Sequence, residues 1–297
     1  MLALIVGRGA LPAAVAAAQD DMPLICALKG NTPDNLDVDV TFRIEHLGSF
    51  LVTLGAHGVT EVCFCGAIDR PVIDPDQLDA DTQPLVPILT SAVSGGEDSA
   101  LRAVLGIFEQ TGFAVRGAHD LAPDLLPPTG TLTKAMAPMD VIASLPQAEA
   151  VLHAQGQADQ GQACILRAGD VIAREDGRGT DAMLGDLTEP YSGTGAVSDP
   201  VEFVFDMVGD ALDAAADWLS GPVAEQRTRA KGGYLFKGPK PGQDMRVDLP
   251  TIGPSTAMRA AEAGLDGIVI AGGGVMVLDQ PQVVRILDAM GMFLWVR

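Results

Sequence analysis

Residues 1–28 read MLALIVGRGALPAAVAAAQDDMPLICAL, and the alternation in this stretch decides the fold class. Leu2–Val6 is an apolar run that reads as a buried strand. Gly7, Arg8, Gly9, Ala10, Leu11 and Pro12 follow, then an Ala-rich helix from about Pro12 to Gln19. A second apolar run from Pro23 to Leu28 reads as the next strand. Strand, glycine turn, helix and strand in succession predict a parallel sheet with helices on its faces.

The glycine turn invites a ligand. Gly7 and Gly9 end a strand and open a helix, where backbone N–H groups and the positive helix terminus suit a phosphate. The dinucleotide fingerprint nevertheless fails. GxGxxG needs glycine at position 12, where Pro12 stands, and the second strand ends in Lys29 and Gly30 without a ribose-binding acid. Two readings stay open, a nucleotide-like ligand or a tight structural turn.

The pattern continues with a helix near Leu47–His57 and a strand over Glu61–Ile68. Asp69 and Arg70 lie just past that strand, at the edge where open parallel sheets bind ligands. Arg70 either contacts a phosphate or pairs with Asp69. Gly95 and Gly96 precede an amphipathic helix with Glu97 and Asp98 in its first turn, which suits the helix dipole, and Arg102 reads as an intrahelical partner of Asp98. LLPPTG, ending at Gly130, breaks the pattern, so the predicted domains are 1–132 and 133–297.

The second half also reads as α/β. A helix is predicted from Met139, strands at Gln162–Leu166 and Val171–Ala173, and a helix start at Thr180 or Asp181 after a polar loop that also holds Glu175, Asp176 and Arg178. Further helices are predicted over 201–219, 255–263 and 281–290, with strands over 234–237, 267–271 and 292–296.

The segment Lys231–Pro254, KGGYLFKGPKPGQDMRVDLPTIGP, concentrates cations in an acidic chain of net charge −20. Arg227, Arg229, Lys231, Lys237, Lys240 and Arg246 are interleaved with Asp244 and Asp248. Gly and Pro exclude a regular helix. Cations suit a phosphate, and carboxylates suit a divalent metal or a positioned water. The competing reading is a solvated, mixed-charge surface loop.

Composition removes other classes. The net charge of −20 opposes nucleic acid and broad adhesion to anionic lipid. Cys26, Cys63, Cys65 and Cys164 form no CxxC and read as buried free thiols of a reducing compartment. His46, His57, His119 and His153 lack zinc-ligand spacing. No P-loop, HExxH or GxSxG motif occurs. With no basic leader ahead of LALIV and no apolar run of about 18 residues, a cytoplasmic protein is expected.

GRGALP, GAIDRP, SGGEDSALR, FEQTGFAVRGAHDLAPDLLPPTG, DQGQA, GTDAML, KPGQDMRVDLPTIGP and AEAGLDGI occur in this order over nearly the whole chain. Together they resemble the UDP-2,3-diacylglucosamine pyrophosphatase family of lipid A biosynthesis, in the form unrelated to the calcineurin-like metallophosphoesterases. Two positions depart from the family pattern: Arg178 replaces an acid before GTD, and Gln160 replaces an aspartate before GQA.

The resemblance implies two α/β domains, the first Rossmann-like, with the active site in the interdomain cleft. It implies a Mg²⁺-dependent hydrolase that releases UMP and 2,3-diacylglucosamine 1-phosphate. On this reading Asp248 is the principal metal ligand or water-orienting acid, assisted by Asp244; on an extended segment, residues four apart share a face. Lys237, Lys240 and Arg246 bind the diphosphate, with Thr180, Asp181 and Thr251 on the substrate and Gly9, Ala10, Leu11 and Arg70 supplied by the first domain. The partner is UDP-2,3-diacylglucosamine. Membrane contact is transient, at the inner face of the inner membrane, and a homodimer stays open. The rival readings are another nucleotide-sugar enzyme, such as a dehydrogenase, and a non-catalytic nucleotide-sugar or lipid-binding protein.

Overall fold

The computed structural model describes residues 1–69, 73–93, 97–188 and 232–297. Arg70, Gly95, Gly96, the helix predicted over 201–219, and Arg227, Arg229 and Lys231 lie outside the described residues, as do the side chains of Glu97 and Asp98.

The chain divides into two α/β units. The first comprises Met1–Pro128, Gly238–Gly253 and Ala271–Gln280; the second comprises Thr129–Lys237, Pro254–Ile270 and Pro281–Arg297. The expected boundary at 132 lies near the 128/129 division, and the first unit also takes in residues 238–253 and 271–280. The charged loop after Lys237 and the turn after Ile270 both belong with the amino-terminal residues.

The first unit is built on a five-stranded sheet. Its strands are β1 (Leu2–Val6), β2 (Leu24–Leu28), β3 (Val40–Phe42), β4 (Glu61–Cys65) and β5 (Ala114–Arg116), in the order β3-β2-β1-β4-β5. All four pairings are parallel, so this is a Rossmann-like sheet. The central strand shows why it forms. Ala3 and Ile5 enter one apolar cluster with Leu47, Phe50 and Leu54 of α2 (Leu47–Ala56) and Leu105 and Phe108 of α4 (Glu97–Gln110). Leu4 and Val6 enter another, with Val15 and Ala16 of α1 (Leu11–Ala17) and Ala118 of α5 (Ala118–Leu121). A strand buried on both faces must be apolar throughout, as LALIV is. The remaining helix, α3 (Val86–Val93), packs beside α4.

The second unit has a mixed six-stranded sheet. Its strands are β6 (Gly130–Thr131), β7 (Ala163–Arg167), β8 (Asp170–Arg174), β9 (Tyr234–Lys237), β11 (Gly267–Ile270) and β13 (Phe293–Val296), in the order β6-β13-β11-β9-β7-β8. β9, β11 and β13 run parallel, while β6, β7 and β8 join antiparallel. The helices are α6 (Met139–Gln157), α7 (Thr180–Gly185), α8 (Pro254–Glu262) and α9 (Gln280–Ala289). The two short strands between these elements, β10 (Thr251–Ile252) and β12 (Met276–Val277), pair in parallel within the first unit. Cys26, Cys63, Cys65 and Cys164 are all buried and free, as read from their spacing. Among the described residues, no helix is long and apolar enough to cross a membrane.

Candidate active site

The strand order reverses direction at β1, between its neighbours β2 and β4. In open α/β sheets, ligands bind beyond the carboxyl ends of the strands at such a switch point. Here the segments leaving β1 and β4 are clamped together. Gly7 N–H donates to Cys65 C=O at 2.9 Å, and Arg8 and Ala67 exchange backbone bonds of 2.8 and 2.9 Å. Glycine is required at position 7, because a Cβ there would lie 2.2 Å from the Ala67 carbonyl oxygen. Gly9 turns with φ 95°, a left-handed conformation that favours glycine.

Above this clamp lies a cavity of about 270 Å³ within the first unit. Gly9, Ala10, Leu11, Arg246, Asp248 and Thr251, all read as site residues from the sequence, line it together. Arg8, Phe64, Met276 and Leu278 are lining residues that the sequence reading missed. Arg8 belongs to the same GRGALP stretch that flagged Gly9. It is held by a two-pronged ion pair with Asp69, whose second contact is 2.6 Å. Asp69 thus has an arginine partner in Arg8. Asp34 accepts from Gly9 N–H at 3.0 Å and holds the turn from below.

The acids of the charged loop are placed differently from the sequence expectation. Val247 N–H and Asp248 N–H both donate to Asp244 C=O, each at 3.1 Å, so residues 244–248 form one helical turn. Pro241 and Gly242 break the chain before this turn rather than within it. The extended reading is therefore corrected: Asp244 and Asp248 share a face because they are one helical turn apart. Both line a narrow recess with Leu101 and Arg102. Arg102, read from sequence as an intrahelical partner, lowers the Asp244 pKa from this position, after the larger effect of Arg246.

Arg246 is engaged within its own loop. Its Nε and an Nη reach Asp244 Oδ1 and Oδ2 at 3.0 and 2.7 Å, and its other Nη reaches Glu109 at 2.6 Å. This bonding pushes the Arg246 pKa up and holds Asp244 below the usual carboxylate range. Lys240 occupies the same loop, its N–H donating to Gln243 Oε1 at 2.8 Å, and is not among the cavity-lining residues.

Asp244 and Asp248 fit one kind of metal site. Mg²⁺ commonly takes one or two carboxylates and completes its shell with substrate phosphates and water. Among the described residues, no group of three or more His, Cys, Asp or Glu gathers as a protein cage. The donor set suits a Mg²⁺ shared with a phosphate and does not suit one held by protein alone.

The remaining candidates cluster in the second unit. Lys237, at the carboxyl end of β9, is 7% exposed and donates from Nζ to Thr180 Oγ1 at 2.8 Å. Burial lowers its pKa, opposed by the charges of Glu175 and Asp181. Asp181 accepts from Ser255 Oγ at 3.0 Å and lies 3.4 Å from Arg259 Nε. Arg178, the departure from the family pattern, bridges Asp176 and Asp186 at 2.9 and 2.7 Å.

Comparison with known proteins matches both halves of the chain. The model of the LpxI N-terminal domain matches residues 1–125, and that of the LpxI C-terminal domain matches residues 128–199 and 211–295. The chain belongs to the LpxI family. It is 34% identical over 302 residues to a Caulobacter vibrioides protein named UDP-2,3-diacylglucosamine pyrophosphatase LpxI, covering 98% of this chain and 95% of that one. The family boundary falls between residues 125 and 128, whereas the packing of this LpxI-family chain returns residues 238–253 and 271–280 to the first unit.

Proposed function

We propose that this chain hydrolyses the pyrophosphate bond of UDP-2,3-diacylglucosamine, yielding UMP and 2,3-diacylglucosamine 1-phosphate in lipid A synthesis. The observation that carries the reading is the near full-length similarity to a relative named for this activity. The placement of Arg8, Arg246 and Asp248 around one cavity at the sheet's switch point supports it.

A diphosphate diester is slow to hydrolyse because negative charge repels the nucleophile and accumulates on the leaving phosphate. In the proposed reaction a water oxygen bonds to the phosphorus nearer the sugar. The bond from that phosphorus to the bridging oxygen breaks, and UMP departs with the bridging oxygen. Asp248 orients the water, and Asp244 with Asp248 would hold Mg²⁺. Bound there, the ion supplies positive charge to the phosphate oxygens as negative charge builds. The Gly9–Leu11 turn, Arg8 and Arg246 meet the phosphates, and Leu11, Phe64, Met276 and Leu278 supply apolar wall. Within the second unit, Lys237 offers its ammonium to an anionic group of the substrate. The enzyme of this reading works in the cytoplasm and meets the membrane through the acyl chains of its substrate.

The test is release of UMP from UDP-2,3-diacylglucosamine with Mg²⁺ and with excess chelator. Mg²⁺-dependent release, with isotopically labelled water entering the sugar phosphate, supports the reading. Label in UMP overturns the position of attack. Binding without turnover favours a nucleotide-sugar-binding protein.

A further inference from the structure

Glu175 is a buried carboxylate that the proposed reaction leaves unused, and it is restrained at every polar atom. Its N–H donates to Ala163 C=O at 3.0 Å, and its C=O accepts from Gln155 Nε2 at 3.1 Å. Its Oε2 accepts from Gln162 N–H at 2.7 Å, and its Oε1 accepts from Thr180 Oγ1 at 2.6 Å. The residue is 8% exposed and Thr180 is 6% exposed. Gly161 leaves room for this packing, since a Cβ there would meet Glu175 backbone at 2.7 Å.

A threonine hydroxyl carries one proton and two lone pairs. The short contact to Glu175 takes the proton, so a lone pair faces Lys237 Nζ at 2.8 Å. The order Glu175, Thr180, Lys237 thus fixes the hydroxyl rotor, and the rotor fixes one ammonium N–H. We propose that Glu175 is a positioning residue for Lys237, acting through Thr180 to hold the ammonium in the direction from which it meets an anionic substrate. This rests on Lys237 meeting an anionic group of the substrate, as stated above.

The arrangement also resolves a cost. An ammonium this buried resists keeping its proton, and opposite charge nearby restores it. Glu175 supplies that charge from the loop before α7, and Asp181 supplies it from α7. Of the two, Glu175 has the larger effect, while Asp181 is also drawn towards Arg259 of α8. Removing the Glu175 charge while keeping its shape therefore loosens the proton on Lys237.

The experiment uses the full chain with Glu175→Gln, Thr180→Val, Lys237→Ala and Lys237→Arg. Kinetics of UMP release are followed from about pH 6 to pH 10. The ε-carbon resonances of the five lysines, Lys29, Lys134, Lys231, Lys237 and Lys240, are followed in isotopically labelled protein. The Lys237 signal is the one missing in Lys237→Arg. The expected result for Glu175→Gln is a KM raised about tenfold near neutral pH, kcat changed less than about threefold, and the alkaline loss of kcat/KM moved down by about one pH unit. The Lys237 resonance titrates correspondingly lower. Thr180→Val, which removes the link without removing charge, raises KM similarly and carries the test should Glu175→Gln not fold. An impaired Lys237→Ala beside unmoved KM, pH profile and lysine titration in Glu175→Gln overturns the positioning role alone. Unchanged kinetics in Lys237→Ala overturn the substrate contact and the inference with it.

Discussion

Arg246 grips Asp244 through both carboxylate oxygens, at 3.0 and 2.7 Å, across a spacing of two residues. A two-pronged guanidinium contact of this kind fixes direction as well as charge. It makes Asp244 an organiser of the turn that presents Asp248. The two acids are therefore predicted to differ when each is replaced. Asp248→Asn lowers kcat/KM for UMP release at least about a hundredfold and leaves the melting temperature nearly unchanged. Asp244→Asn lowers both activity and melting temperature, because it releases Arg246. Equal effects of the two substitutions on stability would count against this division.

Arg102 lines the recess beside both acids and is exposed on α4. Arg102→Ala is expected to reduce kcat/KM about tenfold with no change in thermal midpoint. Wild-type kinetics in that variant would return Arg102 to an ordinary surface role.

Gly7 has no room for a side chain. Gly7→Ala drives a methyl to 2.2 Å from the Ala67 carbonyl oxygen, and the nearby backbone has nowhere cheap to go. A loss of at least about 3 kcal/mol is expected, read by urea denaturation. The clamp between β1 and β4 opens with it, so residual folded protein binds substrate poorly. Gly55→Ala, which meets nothing within 4 Å, is the matched control and should be neutral or stabilising.

Glu45 gives a pH prediction with a definite sign. It is 4% exposed, accepts from Arg43 Nε at 3.1 Å and from Asp74 N–H at 3.2 Å, and its pKa is held down at about 2, chiefly by Arg43. A carboxyl with a depressed folded pKa stabilises above its unfolded value of 4.5, and the benefit fades as pH falls towards about 2. Glu45→Gln should therefore cost on the order of 2 kcal/mol at neutral pH and progressively less under acid conditions. A constant difference from neutral pH to about pH 3 would show that shape and not charge sets the loss.

Most strands legible in the sequence were buried ones. LALIV, LICAL, EVCFC and YLFK announce themselves by their apolar runs, and helices α2, α6, α8 and α9 by their length, while β8 was read from Val171–Ala173 although it is only partly buried. β3, β5, β10 and β12 were missed because two or three residues carry no periodicity of their own and pair only where the packed chain brings a neighbour. The turn at 244–248 was misread because Pro241 and Gly242 promise irregularity, and a promise of irregularity does not say where it ends. Gly9, Leu11 and Asp248, singled out through the ordered motifs, line one cavity. Arg8, Met276 and Leu278 were not singled out, since a lone arginine between glycines and two apolar residues in and just after a two-residue strand look ordinary until the cavity is seen.

The interleaving of the two units bears on heredity as well as on shape. A gene cut near codon 128 would sever Arg8, Gly9 and Phe64 from Arg246, Asp248 and Met276, which face the same cavity. Recombination between relatives at the family's apparent domain boundary would then create pockets with walls of mixed parentage. Substitutions in the GRGALP stretch and in the returning loop must answer to one another across more than two hundred positions. Coevolution in this chain should therefore run strongest between segments that a domain map places in different halves.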